Sequence, residues 1–432
     1  MRQCLTSPEG GYYTSAQNGH DQFGTKGDFI TSPEISQIFG ELIGVWIVAE
    51  WMAQGKRGNG VELIEVGPGR GTLIDDALRT IRNFRSLASS IEAVYLVESS
   101  AVLREAQKQR LCGDAPMEET SIGFRSRSTY SDIPVIWCED IRFVPKGTGK
   151  SPFIVAHEFF DALPINVFQS VAPSQLQITT SASSRPPRPS SVPQWRELVV
   201  SPTQPFTPLT NLSIPTSQKA TETPPEFEMS LSKASTPNSV VLPEISSRYK
   251  ALKSQAGATI EISPEGQSYA EEFARRIGGT NVGEESKKDP SGAALIIDYG
   301  PASTIPVNSL RGIRSHKAVS PFCCPGRVDL SADVDFTALA DAALKASPAV
   351  EVHGPVEQGY FLQAMGIEER ATQLLRNVNS NDDEKRKRLD SGWRRLVERG
   401  GGCMGKIYKA MAIVPLTGGQ RRPVGFGGDV EA

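Results

Sequence analysis

The sequence predicts an α/β fold: a doubly wound, mostly parallel sheet, preceded by an N-terminal helical segment and carrying inserted α+β elements. Three observations lead there. From residue 61 onward short β-rich apolar runs alternate with helical stretches, the pattern of a parallel sheet with crossover helices. The first run passes straight into a glycine-rich turn and a helix, Leu63-Ile64-Glu65-Val66-Gly67-Pro68-Gly69-Arg70-Gly71-Thr72. Ahead of it, Ile35, Ile38, Phe39, Leu42, Ile43 and Trp46 recur at helical spacing, as in an amphipathic helix packed on a core.

Taken in order, the tract from Gly27 to Glu34 ends in helix-start signals, with Pro33 suited to the first helical position, Glu34 to the first turn, and Ser32 or Thr31 to the cap. Residues 1–60 read as a segment covering substrate and cofactor. Strands are expected at 61–66, 93–97, 135–137, 153–156 and 294–298, dividing the core into 61–170 and 246–415. Between 171 and 240 roughly half the residues are Ser, Thr or Pro, too polar a mixture to offset chain entropy by burial. The insertion, 171–245, is therefore expected to be mostly disordered. Its island Trp195-Arg196-Glu197-Leu198-Val199-Val200 reads as a strand, so that the insertion splits a β-hairpin. A second polar loop runs from Gly278 to Gly292, the charged helix 382–388 reads as a solvated face, and 416–432 as a flexible tail.

Bulk properties exclude several functions. Lys+Arg 46 against Asp+Glu 49 gives a net charge of -3, so no basic field draws the chain to nucleic acid. Six cysteines show no C-x-x-C pair, so neither zinc nor any other metal site is expected. No apolar run approaches the roughly 18 residues of a membrane span. The chain does not open with an Arg-rich presequence, so a targeting peptide is expected to be absent from it. The oligomeric state stays open.

The glycine-rich turn carries the cofactor information. A dinucleotide enzyme would have G-x-G-x-x-G, with backbone donors cradling a pyrophosphate. Here the pattern is E-x-G-x-G-x-G: Glu65 precedes Gly67, Gly69 and Gly71. A carboxylate at that place repels pyrophosphate but suits the amino or sulfonium end of S-adenosylmethionine, which has no phosphate. The next strand ends in Glu98, where an acid can accept both ribose hydroxyls. Asp140, after the third strand, is a candidate for the adenine end, and Asp28 a further cofactor candidate.

Several blocks resemble one family, the MidA-like mitochondrial complex I assembly factors. They are Cys4-Leu5 with Gly11-Tyr12-Tyr13, Gly27-Asp28-Phe29 with Thr31-Ser32-Pro33-Glu34-Ile35, the Glu65 loop, Glu158-Phe159-Phe160-Asp161-Ala162-Leu163-Pro164-Ile165, Leu295-Ile296-Ile297-Asp298-Tyr299-Gly300, Pro325-Gly326 with Val334-Asp335-Phe336, and Gly354-Pro355 with Gln358-Gly359. The resemblance implies a Rossmann-like class I methyltransferase that uses S-adenosyl-L-methionine. It further implies symmetric dimethylation of an arginine in a core subunit (49 kDa type) of complex I, in the mitochondrial matrix. The chain departs from the family in the 171–240 insertion and at His157, where the family usually has Asn.

Methyl transfer demands in-line placement more than acid–base chemistry. An arginine guanidinium is always cationic and presents a planar fork of donors, which carboxylates match. Glu158 and Asp161, just beyond the fourth strand, are the catalytic candidates, although capping of a following helix explains them too. Capping equally explains Asp28 and Glu34, and Tyr299 with 316–335 could line a substrate groove. The alternatives are an assembly chaperone with weak catalysis, and a methyltransferase acting on another protein or a small molecule.

Overall fold

The computed structural model describes residues 1–15, 22, 24, 27–147, 149–173, 192–203, 225–279, 289–379 and 382–428. Its centre is a nine-stranded sheet. Five strands are parallel, in the spatial order Ala293–Tyr299, Ser151–His157, Val61–Val66, Ile91–Val97, Pro134–Cys138. Tyr408–Pro415 and Val350–Glu357 extend one side antiparallel, and Gly123–Arg127 and Glu118–Thr120 extend the other. The chain builds outward from Val61–Val66 in one direction, then returns to add Ser151–His157 on the opposite side. This reversal is the topological switch point, outside whose carboxyl ends open α/β sheets bind ligands.

Both faces of the central strands are covered, so their sequences are nearly continuous apolar runs. Every residue of Val61–Val66 is buried. Leu63, Val155, Leu295 and Ile297 pack on one face with Phe39, Ile43 and Trp46 of the long helix Gln37–Ala53. Ile64, Val66, Ile154, Ala156 and Ile296 pack on the other with Phe273 and Ile277 of Pro264–Gly278 and Phe336 of Phe336–Ala346. The long helix is capped by Ser36, whose side chain accepts from the Ile38 N–H. Gly40 and Gly44, one turn apart, let it approach the helix Thr72–Ile81 closely: a Cβ on Gly40 would lie 2.6 Å from Cβ of Asp76, and one on Gly44 2.9 Å from the carbonyl of Ala77.

Two small antiparallel sheets complete the fold. One places Asn166–Val171 between Thr259–Ile262 and Gln194–Pro202, with Phe227–Leu231 at its edge. The other joins Lys317–Val319, Arg311–Arg314 and Asp329–Ser331.

Two readings of the sequence need correction, and a third is extended. Most of the expected disorder falls on 174–191 and 204–224, which lie outside the described residues, but 225–245 carries the strand Phe227–Leu231 and the helix Pro237–Val241 with a Thr236 capping box. The charged stretch 382–388 is solvated as expected, all exposed but the half-buried Arg386; the helix it opens, Asp383–Val397, buries Trp393, Leu396 and Val397 further along. The tail is docked: Arg421 donates two hydrogen bonds to Glu50 (2.9 and 2.5 Å), and Phe426 packs on Phe361 with ring centroids 5.6 Å apart.

Glu50 has no exposed surface, so losing its partner strands a buried charge. Because Arg421 itself is partly solvated, Arg421→Ala is expected to cost about 3 kcal/mol, near the lower end for a broken buried pair. Urea unfolding measures it. Replacing Glu50 and Arg421 together by Met should recover most of the loss.

Candidate active site

A cavity of about 330 Å³ opens at the switch point. Glu65, Gly67, Pro68, Gly69 and Arg70 follow the first strand into it, Val97 and Glu98 end the second, and His157, Glu158 and Phe159 end the fourth. The N-terminal segment supplies Leu5, Tyr13, Phe29, Pro33 and Glu34 to the lining.

At the glycine turn the backbone takes left-handed values at Gly67, Gly69 and Gly71 (φ 65, 53 and 75°), a conformation that side chains disfavour. Gly71 is also the N-cap of Thr72–Ile81. Glu65 lines the cavity at 3% exposure, and its Oε2 has no hydrogen-bond partner among the described residues. Burial pushes its carboxyl up to about 8, against the opposing pull of the Ile74 N–H. Such an orphaned oxygen at a cavity wall fits a cationic amino group. Glu98 is better supported: Oε1 accepts from the Ser100 N–H (2.8 Å) and Oε2 from the Gln107 amide (3.0 Å). Burial still raises it to about 7. Each oxygen keeps acceptor capacity for a ribose hydroxyl.

Gln107 has no signal in the sequence, yet it joins the two halves of this region. Its Nε2 donates to the Gly69 carbonyl (2.7 Å) as well as to Glu98, while its Oε1 accepts from the Trp137 indole (2.9 Å). An indole N–H only donates, so it fixes which way the amide faces.

The other end of the cavity is acidic. Glu158 holds a left-handed φ of 49°, unfavourable for a side-chain-bearing residue. Its N–H donates to the Ile297 carbonyl, and its Oε1 lies 3.4 Å from the Ser32 N–H. Beneath it, Asp298 is fully buried; Oδ2 accepts from the N–H groups of Phe159, Phe160 and Asp161 (3.1, 2.9 and 3.3 Å), and Oδ1 from that of Tyr299 (2.9 Å). Asp161 accepts from the Tyr299 hydroxyl, and burial raises its carboxyl to about 6 against that hydrogen bond. Asp329, held by the Tyr13 hydroxyl at 2.8 Å, is raised to about 7 by burial and then by Asp161. The Tyr408 phenol adjoins Glu158, Asp161 and Asp298.

Glu65, Gly67, Gly69, Glu98 and Glu158 thus come together around one cavity. Asp140 also lines it, but its carboxylate is committed to Arg142 by a two-pronged ion pair (2.9 and 2.7 Å) and to the cap of Ile141–Phe143. Gly71 adjoins the lining as the helix cap. Three expected contributors stand outside it: Asp161 and Tyr299 form the layer behind Glu158, and Asp28 ties the N-terminal segment to Ser315, accepting from the Tyr12 hydroxyl (2.8 Å) and the Ser315 N–H (2.7 Å). Among the described residues, none of 316–335 lines the cavity. Within 316–335 nothing singles out Asp329, and Tyr408 sits in no motif.

A switch-point cavity with an acidic glycine loop on one side and a ribose-type acid on the next strand defines a class I S-adenosylmethionine-dependent methyltransferase. The chain belongs to this S-adenosyl-L-methionine-dependent methyltransferase family, whose pattern it matches over residues 42–356. It is 34% identical to the mitochondrial protein arginine methyltransferase NDUFAF7 of Xenopus tropicalis, across 96% of this chain and 81% of that protein. The same identity links it to the human NDUFAF7, across 97% of this chain and 80% of that one, and to the Drosophila melanogaster homolog, across 96% and 80%. A solved Burkholderia thailandensis protein bound to S-adenosyl-homocysteine shares the fold, with a TM-score of 0.64 at 20% identity over 98% of this chain and 86% of that one.

Two predictions follow from the cofactor end. Gly69→Val places a branched side chain at a left-handed residue; it should weaken S-adenosylmethionine binding at least about tenfold, or about 1.4 kcal/mol, with circular dichroism unchanged. Glu65 and Glu98, raised to about 8 and about 7, are largely protonated near pH 6 and gain charge as pH rises. A cationic ligand prefers the charged form, so calorimetric affinity should increase from about pH 6 to about pH 7.5, and Glu65→Gln should flatten that slope.

Proposed function

We propose that the protein methylates an arginine of a protein substrate, and that this substrate is the 49 kDa-type core subunit of mitochondrial complex I, modified to symmetric dimethylarginine in the matrix during assembly of the complex. Support comes from the relatives' name, mitochondrial protein arginine methyltransferase, and from the sequence resemblance. The observation that carries the reading is the acidic end of the cavity: Glu158 in the wall, with Asp161, Asp298 and Asp329 buried around it. A permanently cationic guanidinium is the protein group that such a cluster suits.

S-adenosylmethionine, held by Glu65, Glu98 and the glycine turn, supplies an electrophilic methyl. Glu158 would accept guanidinium N–H bonds and orient one nitrogen toward that methyl. Asp161 would act from behind, through Tyr299, as a positioning residue. Preorganised carboxylates of this kind need no rearrangement as the reaction proceeds.

Incubating the protein with labelled S-adenosylmethionine and the core subunit, then locating the label by mass spectrometry, tests the reading; label on a residue other than arginine, or none, would refute it. Glu158→Gln is expected to keep cofactor affinity and lose about a hundredfold or more in kcat. Asp161→Asn should fall less.

A further inference from the structure

We propose that His157 is the base that takes up the proton released when the guanidinium nitrogen is methylated. The inference rests on the arginine reading above. In the transfer a nitrogen–carbon bond forms and the sulfur–carbon bond breaks, and sulfur keeps the electron pair as a neutral thioether. The attacked nitrogen must surrender one N–H proton, or the product guanidinium would hold two positive charges. That proton needs an acceptor close to the clamp. An imidazole titrates near neutral pH; Asp161 and Asp329, raised by burial to about 6 and about 7, stand behind the clamp and outside the cavity lining, whereas His157 is part of it.

His157 is placed for the task by the sheet. It closes the strand Ser151–His157, its Cα paired with Ile297, and its side chain lines the cavity at 7% exposure. Its ring packs against Phe39 with centroids 4.8 Å apart. Nε2 stands 3.1 Å from Oε1 of Glu158, too poorly aligned for a hydrogen bond, and has no hydrogen-bond partner among the described residues. A buried imidazole nitrogen at hydrogen-bond range from the proposed clamp can receive a proton that the carboxylate passes on, and catalytic contacts often tighten only once substrate is bound.

Acids dominate the ionisable groups around this corner, with Arg70 paired to Glu34 and Arg311 acting on Asp161. Glu158 neighbours it directly. Glu34 reaches toward Glu158 from the helix Ser32–Ile35, while Asp161, Asp298 and Asp329 surround Glu158 from the turn, the adjacent strand and the small sheet. Tyr408, from the strand Tyr408–Pro415, is held protonated by burial and by Glu158, so it does not compete as an acceptor. An imidazolium formed here sits among carboxylates until the proton leaves.

The test uses the whole chain and two readouts. His157→Gln and His157→Leu should bind S-adenosylmethionine with wild-type affinity by calorimetry, which certifies their fold, and lose about a hundredfold in kcat on the core subunit. The acid limb of the wild-type kcat profile between about pH 5 and 8 should vanish in both. Independently of turnover, nitrogen-15 spectra of the four histidines should show one ring, missing in His157→Gln, that responds to Glu158→Gln because its Nε2 stands 3.1 Å from Oε1 of Glu158. Wild-type turnover and an unaltered acid limb in both His157 variants, or a His157 ring indifferent to Glu158→Gln, would overturn the base role alone. Failure of the wild-type protein to label arginine would overturn the arginine reading and this inference with it.

Discussion

Four backbone N–H groups converge on the carboxylate of Asp298, three of them from the turn that follows the neighbouring strand. On this anchor the reactive end of the cavity depends. A residue with a side chain holds a left-handed backbone only when its surroundings over-determine it, and Glu158 is held from both sides: by its own N–H on Ile297 and by the three following N–H groups on Asp298. Without that carboxylate the donors of Phe159, Phe160 and Asp161 would be buried and unsatisfied, each costing about 1–3 kcal/mol. The turn would relax, and Glu158 would lose its reason to stand in the cavity wall.

The same arrangement explains how several acids coexist under the site. Burial and Asp161 drive the proton affinity of Asp298 upward while the N–H donors oppose them. Asp161 and Asp329 draw hydroxyl donors from Tyr299 and Tyr13 rather than cations. The Arg311 guanidinium stacks over the Tyr299 ring at 4.6 Å and bonds Asp333 at 2.7 Å, so it moderates Asp161 without lining the cavity. Among the described residues, the acids at this end thus outnumber the guanidiniums that act on them.

How far the site was legible depended on where each signal lay. Glu65, Gly67, Gly69 and Gly71 share one continuous strand-turn-helix stretch, and Glu98 falls at the end of the next strand, so residue type and spacing located them. Asp28 misled because an acid ahead of a helix looks the same locally whether it binds a ligand or braces a loop; its partner, Ser315, lies 287 residues away. Asp140 does line the cavity, as its place after the third parallel strand suggests, with Arg142, two residues on, paired to its carboxylate. Gln107, Tyr408 and, within 316–335, Asp329 matter through contacts that the sheets create, and residue type alone does not single them out. The docked tail was masked by its glycines, which suggest mobility until Phe426 and Arg421 find Phe361 and Glu50.

Charge placement also gives a reason for the division of the cavity into two ends. Two unit positive charges about 4 Å apart repel by about 4 kcal/mol at an effective dielectric near 20, and a guanidinium approaching a sulfonium meets that cost before any bond changes. Glu65 and Glu98 face the cofactor end, and both are raised by burial, so each becomes fully charged most readily when a cation or hydroxyl donor arrives. Glu158 and the acids behind it face the other end. On the proposed reading, each positive group would meet its own carboxylates before it met the other, and the repulsion would be offset within a wall that the sheet has already built. Transfer consumes one of the two cations, since sulfur leaves neutral and a proton departs. The acidic wall then holds a single positive product where it had stabilised two positive reactants, so the attraction that assembled the complex does not grow as the reaction completes.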